Sequence, residues 1–241
     1  MSKIIHGDCL TEMEKISPKS IDMILTDLPY NITQNSWDST EINLQLLWKL
    51  FNNVIKPIGV IALTSSQPFT SKLVLSNIEQ YKHEWIWEKD GGSNFGNINR
   101  EPMKEHESVL IFSNGNWTYN PIKEKRIGSR KNKNTKSICN TNSENYGRFN
   151  NEPFIMDVPP LRVPRSIQRF TRERGLHPTQ KPVLLFEYLI KTYTNERDMI
   201  LDCCAGSGAT AIACINTNRE YIVIEKEKKY YDIITKRVRK K

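Results

Sequence analysis

Residues 200–210 read ILDCCAGSGAT, an apolar run followed by a glycine-rich turn and the start of a helix. Gly206 and Gly208 lack the Cβ atom that would keep the backbone away from a ligand. With Ala211 they fit the spacing G-x-G-x-x-A of nucleotide-binding turns between a strand and a helix. Glu225 ends the next apolar run, where an acid is expected to hold ribose hydroxyls. The pattern predicts a nucleoside cofactor; the alternative is a tight turn with a solvated glutamate.

Apolar residues on both sides of this stretch alternate between strand and helix periodicity. Between residues 114 and 175 the periodicity is weak, and we expect loops with short elements there. Predicted strands cover residues 4–8, 21–26, 60–64, 84–87, 108–112, 198–202 and 221–225; predicted helices cover 41–55 (stopped by Pro57 and Gly59), 68–78, a segment whose first turn holds Pro182, 209–216 and 230–239.

This alternation predicts an α/β fold, a Rossmann-like, mostly parallel and twisted sheet with helices on both faces. Only sixteen residues follow Glu225, so strands that precede the glycine turn must complete the sheet. The order of elements is therefore circularly permuted relative to a domain that opens with its glycine turn.

A second motif, Asp27-Leu28-Pro29-Tyr30, follows the predicted strand 21–26 directly. A carboxylate and nearby backbone carbonyls can accept hydrogen bonds from an exocyclic amine, and an aromatic ring can stack on a flat base. These groups suit a purine that has been lifted out of a duplex, although the same residues also form ordinary turns. Since ligands bind at the carboxyl edge of a parallel sheet, the strand ends at Asp27 and Asp202 are expected to be neighbours.

The positive charge of the chain is concentrated in one segment. The net charge is +8, and residues 121–175 carry thirteen lysines and arginines against five acids, while the remainder is balanced. Localised positive charge is what the neutralisation of nucleic-acid phosphates requires. The segment therefore predicts contact with DNA, with a solvated basic loop as the alternative.

Composition excludes several other classes. No apolar run approaches the roughly 20 residues of a membrane span, and residues 1–8 are too polar for a signal peptide. The five cysteines contain no C-x-x-C pair, so we expect reduced thiols in a cytoplasm and neither disulfides nor a metal site. Packing roles are favoured for Cys203 and Cys204 and structural roles for the histidines, while Trp85 and Trp87 suit either the core or the border of a base pocket.

Three motifs together resemble the beta-class S-adenosylmethionine-dependent DNA amino-methyltransferases. The family motif D-P-P-Y is similar to residues 27–30, its cofactor loop to residues 202–208, and a third motif to His177-Pro178-Thr179-Gln180-Lys181-Pro182. Their order along the chain is also that of the beta class. The chain departs from the family at Leu28, which keeps the backbone carbonyl of the first proline, and at Cys204, where phenylalanine is common.

The resemblance implies a role for each matching residue. Asp27 and the Leu28 carbonyl would accept the amine protons of the target base, with Pro29 shaping the turn and Tyr30 stacking on the ring. Asp8 would lie near the cofactor's adenine and Glu225 would hold its ribose. The methionine part would be lined by Asp202, Ala205, Gly206 and Gly208, with Thr179, Gln180 and Lys181 closing over the site. No metal is implied.

The resemblance also divides the chain. It implies a catalytic half in residues 1–114, an inserted DNA recognition region in residues 115–172 and a cofactor-binding half in residues 173–241. Arginine is the commonest reader of guanine edges. Expected phosphate contacts are Arg126, Arg130, Lys131, Lys133 and Lys136, and the expected readers of guanine are Arg148, Arg162 or Arg165.

The expected activity is site-specific methylation of the adenine N6 amine in double-stranded DNA, with S-adenosylmethionine as donor. Adenine is favoured because Asp27 stands where the family's cytosine-N4 enzymes usually carry serine. The alternatives are cytosine-N4 methylation, RNA methylation, a binding protein that lost catalysis and, more distantly, a dehydrogenase. We also expect a bacterial or phage-encoded cytoplasmic protein associated with the nucleoid. A homodimer and a cognate restriction endonuclease are further candidate partners.

Overall fold

The computed structural model describes residues 2–30, 42–125, 142–143, 147–148 and 161–241. They form two compact units, Met1–Asn120 with Arg165–Lys241, and Pro121–Pro164. The smaller unit contains the short strands β6 (Glu124–Lys125), β7 (Asn142–Ser143), β8 (Gly147–Arg148) and β9 (Leu161–Arg162). They pair as two antiparallel ribbons, β6 with β9 and β7 with β8.

The larger unit is built on an eight-stranded sheet with the order β1-β12-β11-β2-β3-β5-β4-β10. Only β5 runs against its neighbours; the other pairings of this sheet are parallel. The strands are β1 (Lys3–His6), β2 (Ile21–Thr26), β3 (Ile55–Ser65), β4 (Tyr81–Ser93), β5 (Lys104–Phe112), β10 (Ile167–Arg169), β11 (Met199–Asp202) and β12 (Glu220–Glu225). The helices are α1 (Cys9–Met13), α2 (Leu44–Val54), α3 (Phe69–Ser76), α4 (Val183–Tyr193), α5 (Ala209–Asn216) and α6 (Lys228–Val238).

Helices cover both faces of the sheet, as the sequence predicts. Alternate side chains of β2 point to opposite faces, so Met23 and Leu25 join one buried cluster and Ile24 joins the other. The first cluster is completed mainly by α4 and α5, and the second by α2 and α3. Among the helices of the described residues, none has the length and apolar character needed to cross a bilayer.

The predicted helix 41–55 ends for a different reason in the structure. The helix ends at Val54, because Ile55 already pairs with Ile21 of β2 and the chain becomes a strand. Pro57 and Gly59, expected to stop the helix, therefore lie within β3. Strand pairing ends the helix before the proline is reached.

Other boundary differences also have local causes. Asp8, expected to end the first strand, instead caps α1, since its carboxylate accepts the Leu10 amide at 3.1 Å. The predicted strands 84–87 and 108–112 lengthen into β4 and β5, which pair as one long antiparallel hairpin. Pro182, expected in the first turn of α4, is the residue before that turn.

Phe51 tests the packing of the second cluster. The side chain is fully buried, and Phe51→Ala should lower the free energy of unfolding by about 3–5 kcal/mol because it leaves a cavity. Urea denaturation of wild type and variant measures this difference. Leu75→Ala on α3 is the matched control: its side chain is 77% exposed, so the expected change is within about 0.5 kcal/mol. A small loss at Phe51 would contradict close packing there.

Candidate active site

Two cavities open at the carboxyl edge of the sheet and meet at one carboxylate. The first cavity, about 420 Å³, is lined by the glycine turn and the ends of several parallel strands. The second, about 510 Å³, is lined by Tyr30, Trp87 and Glu107 among others. Asp27, Thr179, Gln180 and Lys181 line both cavities. A group bound in one cavity would therefore adjoin a group bound in the other.

Parallel pairing explains why the acids converge. Ile200 and Leu201 of β11 lie beside Met23 and Ile24 of β2, so both strands end at the same edge. Asp202 ends β11, Asp27 follows β2, and Glu225 ends β12. The two motifs were predicted to be neighbours because parallel strands end at a common edge. Asp27 and Asp202 both line the first cavity, in agreement with that prediction.

The glycine turn adopts a conformation that other residues rarely reach. Gly206 and Gly208 have φ of +53° and +81°, in the left-handed region that favours glycine. The Gly206 amide donates to the Glu225 carboxylate at 2.7 Å, and the Cys204 amide donates to Asp202 at 3.0 Å. The Thr210 hydroxyl donates to the second oxygen of Asp202. The strand-end acids thus fix the shape of the turn.

Burial also changes the titration of these acids. Desolvation raises the pKa of Asp202 to about 6 and that of Glu225 to about 7, despite the amides that donate to each carboxylate. Near pH 7, Glu225 therefore exchanges readily between its neutral and ionised forms.

Asp27 is the most heavily hydrogen-bonded acid at the junction. Its Oδ1 accepts the Tyr30 hydroxyl at 2.6 Å and also the Thr64 hydroxyl. Its Oδ2 accepts the Lys181 ammonium at 2.5 Å. Burial and the neighbouring Asp27 charge raise the pKa of Tyr30, so the ring keeps its hydroxyl proton. The carboxylate is held in one orientation from three sides.

Lys181 belongs to a buried row of alternating charges. Its side chain is 6% exposed and lies 3.4 Å from Glu107, whose other oxygen lies 2.6 Å from Lys89. Burial alone would lower the pKa of Lys181, but the Asp27 and Glu107 carboxylates outweigh it and raise this pKa above its ordinary value. Burial likewise opposes ionisation of Glu107, and the two lysines lower its pKa. Lys181 and Glu107 therefore remain charged at neutral pH.

Aromatic side chains form part of the second cavity. The Tyr30 ring stacks on Phe69 with centroids 5.4 Å apart, and the Lys181 ammonium lies 5.5 Å from the Tyr30 centroid. Trp87 is buried and donates its indole N–H to the Phe170 carbonyl at 2.8 Å while also lining the cavity. Trp87 is therefore part of the core and also borders the second cavity, so both interpretations of this residue apply.

The sequence-predicted residues largely converge on the two cavities. Asp8, Asp27, Pro29, Thr179, Gln180, Lys181, Asp202, Ala205, Gly206 and Glu225 line the first cavity; Leu28 and Tyr30 line the second. Gly208 is not among the lining residues; it precedes α5 and packs against Ile234. The chemical roles of these residues remain predictions.

Most of the predicted DNA contacts fall outside the described residues. Arg126, Arg130, Lys131, Lys133 and Lys136 fall outside the described residues, as does the side chain of Arg148. Arg162 is paired with Glu124 at 3.1 Å within the smaller unit, and Arg165 is exposed beside β10. Their assignment to phosphates or bases stays a prediction.

Several residues of the site escaped the sequence analysis. Thr64 contacts Asp27, Glu107 contacts Lys181, and Lys89 contacts Glu107. The pairing of β3, β4 and β5 brings these residues together. Glu173 accepts the Gln180 side chain at 3.0 Å and the Val183 amide at 2.8 Å, and so positions the segment that carries Lys181. Its position between Arg172 and Arg174 was the one available signal for Glu173.

The cysteines and histidines near the site do not form a metal centre. Cys203 is buried, Cys9 and Cys204 line the first cavity, and within the described ranges no group of side chains could hold a metal ion. His83 shares a hydrogen bond of 2.8 Å with the Tyr193 hydroxyl. His177 lines the first cavity, where its ring centroid lies 4.3 Å from that of Tyr230.

Comparison with known sequences identifies relatives along nearly the whole chain. A family model described as DNA methylase matches residues 21–236. The chain is 29% identical to the type II methyltransferase M2.LlaDCHI of Lactococcus lactis subsp. cremoris, covering 98% of this chain and 89% of the relative. It is 27% identical to the DNA adenine methyltransferase YhdJ of Escherichia coli K12, covering 94% and 79% respectively.

Solved structures share the same fold. The complex of M1.HpyAVI with SAM superposes with a TM-score of 0.66 at 25% identity, covering 99% of each chain. The cytosine-N4-specific PvuII DNA methyltransferase superposes with a TM-score of 0.67 at 15% identity, covering 97% of this chain and 85% of that one. At 15% identity the second likeness concerns the fold alone.

Glu225 gives the site a measurable pH dependence. Between pH 4.5 and about 7 the folded chain keeps a proton on Glu225 that the unfolded chain has lost, so the free energy of unfolding decreases as pH rises through this window. Glu225→Gln removes this titration. The stability of wild type minus that of the variant should therefore fall from pH 4.5 to 7, measured by urea denaturation. Asp202 titrates in both proteins and cancels; a constant difference would contradict the raised pKa.

Proposed function

This chain belongs to the DNA methylase family, and on that premise we propose that it transfers a methyl group from S-adenosylmethionine to the N6 amine of adenine at specific sites in double-stranded DNA. The observation that carries the proposal is the position of Asp27. Its carboxylate lines both cavities, so it can face a methyl donor and a target amine at once.

The lining of the first cavity fits a cationic donor. Five carboxylates and two lysines line it, and S-adenosylmethionine carries a sulfonium and an ammonium group. A nicotinamide dinucleotide would instead bring an anionic pyrophosphate into an acidic cavity, which argues against a dehydrogenase. Glu225 would hold the ribose, Asp8 would lie near the adenine of the donor, and Asp202 with the glycine turn would hold its methionine part. When bound, the donor supplies an activated methyl group.

The second cavity fits a flipped base. Its volume lies within the range of small-molecule sites, and Tyr30 offers an aromatic face for stacking. The Leu28 carbonyl and the Asp27 carboxylate would accept the two protons of the exocyclic amine. Acceptors outside the ring plane draw the nitrogen lone pair away from the ring and toward the methyl group, so orientation and electrostatics supply the catalysis.

The existing hydrogen bonds of Asp27 indicate which of its oxygens would accept a proton of the target amine. A carboxylate offers about four lone-pair sites, and Tyr30, Thr64 and Lys181 use three of them. The remaining site is on Oδ2, beside Lys181. An incoming amine can therefore bond to Asp27 without breaking a contact, and Oδ2 can take the proton that the amine must lose once its nitrogen–carbon bond has formed.

Adenine is favoured over cytosine by the residue type at position 27 and by a relative that is an adenine methyltransferase. The cytosine-N4 enzyme shares the fold at 15% identity. We further infer that the inserted region recognises DNA. We also infer that the chain is bacterial or phage-encoded and works beside a cognate restriction endonuclease in the cytoplasm, at the nucleoid. A homodimer is part of the same inference.

Asp27→Asn tests the assigned carboxylate. The amide keeps the shape but loses the charge and one acceptor, so methyl transfer should fall by about 100- to 10,000-fold. Cofactor affinity, measured by calorimetry, should change little, because Asp27 is one of several acids in the first cavity. The control Asp232→Asn removes an exposed carboxylate on α6 and should leave activity unchanged. A fully active Asp27→Asn variant would refute the role of this acid.

The modified base is tested by expressing the chain in a host that lacks DNA methylation. Mass spectrometry of nucleosides should show N6-methyladenine in DNA, and modification-sensitive sequencing of the genome should show its flanking sequence. Detection of N4-methylcytosine, or of methylation confined to RNA, would show that the substrate is not adenine in DNA. Absence of any methylated base, with cofactor binding intact, would indicate a binding protein.

A further inference from the structure

The hairpin of β4 and β5 presents apolar side chains beside the second cavity. Its tip, residues 94–103, carries Phe95, Ile98 and Met103, which are 68%, 57% and 39% exposed. Twelve large hydrophobic residues are exposed in the described part of the chain, and Phe95 alone among them lines either cavity. Phe95 is therefore an exposed aromatic ring that lines the second cavity.

The tip is braced by its own hydrogen bonds. Asn94 has φ of +76°, and Phe95–Asn97 form a 3-10 turn. The Glu101 carboxylate accepts the Asn94 side-chain amide at 2.5 Å and that of Asn97 at 2.8 Å. The Arg100 amide donates to the Asn97 carbonyl at 2.8 Å. These bonds fix the backbone that carries Phe95 without burying its ring.

The base of the hairpin is anchored next to the same cavity. The backbone amide and Nε of Arg172 both donate to Asp90 at 3.0 Å, and Nη1 reaches the Gly92 carbonyl at 3.3 Å. Met103 packs directly over Gly92, where an added Cβ would lie 2.6 Å from the Met103 methyl carbon. Arg172 also lines the second cavity, so the tip is held in register with the cavity mouth.

We propose that the β4–β5 tip is a wedge that enters double-stranded DNA beside the target base, with Phe95 filling the space that the base leaves on moving into the second cavity. The inference rests on the proposed function. Flipping costs the stacking and pairing of the target, and apolar wedges that insert between bases are a known means of offsetting such a cost. The backbone that carries the ring is already ordered and loses little further entropy on insertion.

The charges around the cavity favour DNA as the occupant. Five basic residues and three acids line the second cavity, including Lys104, Arg172 and Arg174 near the hairpin, and Arg100 is exposed on the tip. An apolar ring flanked by cations suits a duplex, whose stacked bases lie between rows of phosphates. A second copy of this basic chain would bring like charges to the same place.

The test compares Phe95→Ala with wild type on two duplexes. Both contain the recognition sequence obtained by genome sequencing; in one the target adenine is paired, and in the other it faces an abasic site. On the paired duplex, Phe95→Ala should lower kcat/KM by about 10- to 100-fold, the equivalent of the few kcal/mol that flipping costs. On the abasic duplex the loss should shrink to less than about threefold, because no base pair must be broken.

Three controls separate the wedge from other roles. Phe95→Trp keeps a large ring and should retain most of the activity on paired DNA. Leu75→Ala removes an exposed side chain on α3 and should have no effect on either duplex. Cofactor affinity and thermal stability of Phe95→Ala should match wild type, because the ring is exposed.

Each other outcome overturns the wedge. Equal kcat/KM for wild type and Phe95→Ala on paired DNA would refute the wedge while leaving the proposed function intact. An equal loss on both duplexes would assign Phe95 a contact unrelated to flipping. A change in oligomeric state alone, seen by sedimentation, would mean that a second copy covers the ring. Failure of wild type to methylate either duplex would instead refute the proposed function, and the wedge with it.

Discussion

The ion pair between Asp27 and Lys181 is the interaction on which the site depends. Four distant segments supply its network: Asp27 follows β2, Lys89 and Glu107 lie on β4 and β5, and Lys181 precedes α4. Each charge is buried against an opposite one, so removing a single member would leave an uncompensated charge in a poorly solvated place. The network therefore ties the motif at residues 27–30 to the segment 179–181, which lines both cavities.

The two cavities also differ in charge. Carboxylates dominate the first and cations the second, and Asp27 with Lys181 stands at the boundary. A cationic donor and a polyanionic substrate would each meet the opposite sign. The division would keep each ligand on its own side, and the shared carboxylate would bring the two reacting groups together.

Local pattern was sufficient to predict much of the fold. The bounds of β2 and α5 agree with the predicted strand 21–26 and helix 209–216, because apolar periodicity and the glycine turn define both. The convergence of Asp27 and Asp202 followed from the rule that parallel strands end at a common edge. The Lys89–Glu107 pair could not be foreseen, since it requires the register of the β4–β5 hairpin. The cause of the α2 end was wrongly assigned for a related reason: the pairing of Ile55 with β2 ends the helix before Pro57.

The sheet order has a consequence for how the protein is made. β1 pairs with β12, and the Ser2 hydroxyl donates to Glu220, 218 positions along the chain. On the ribosome, β1 emerges early and has no partner until β12 has been synthesised. The turn at Gly206 is likewise shaped by Glu225, which ends β12. A nascent chain interrupted before that strand would carry the Asp27 motif without a completed first cavity, so the first cavity can form only after β12 has been synthesised.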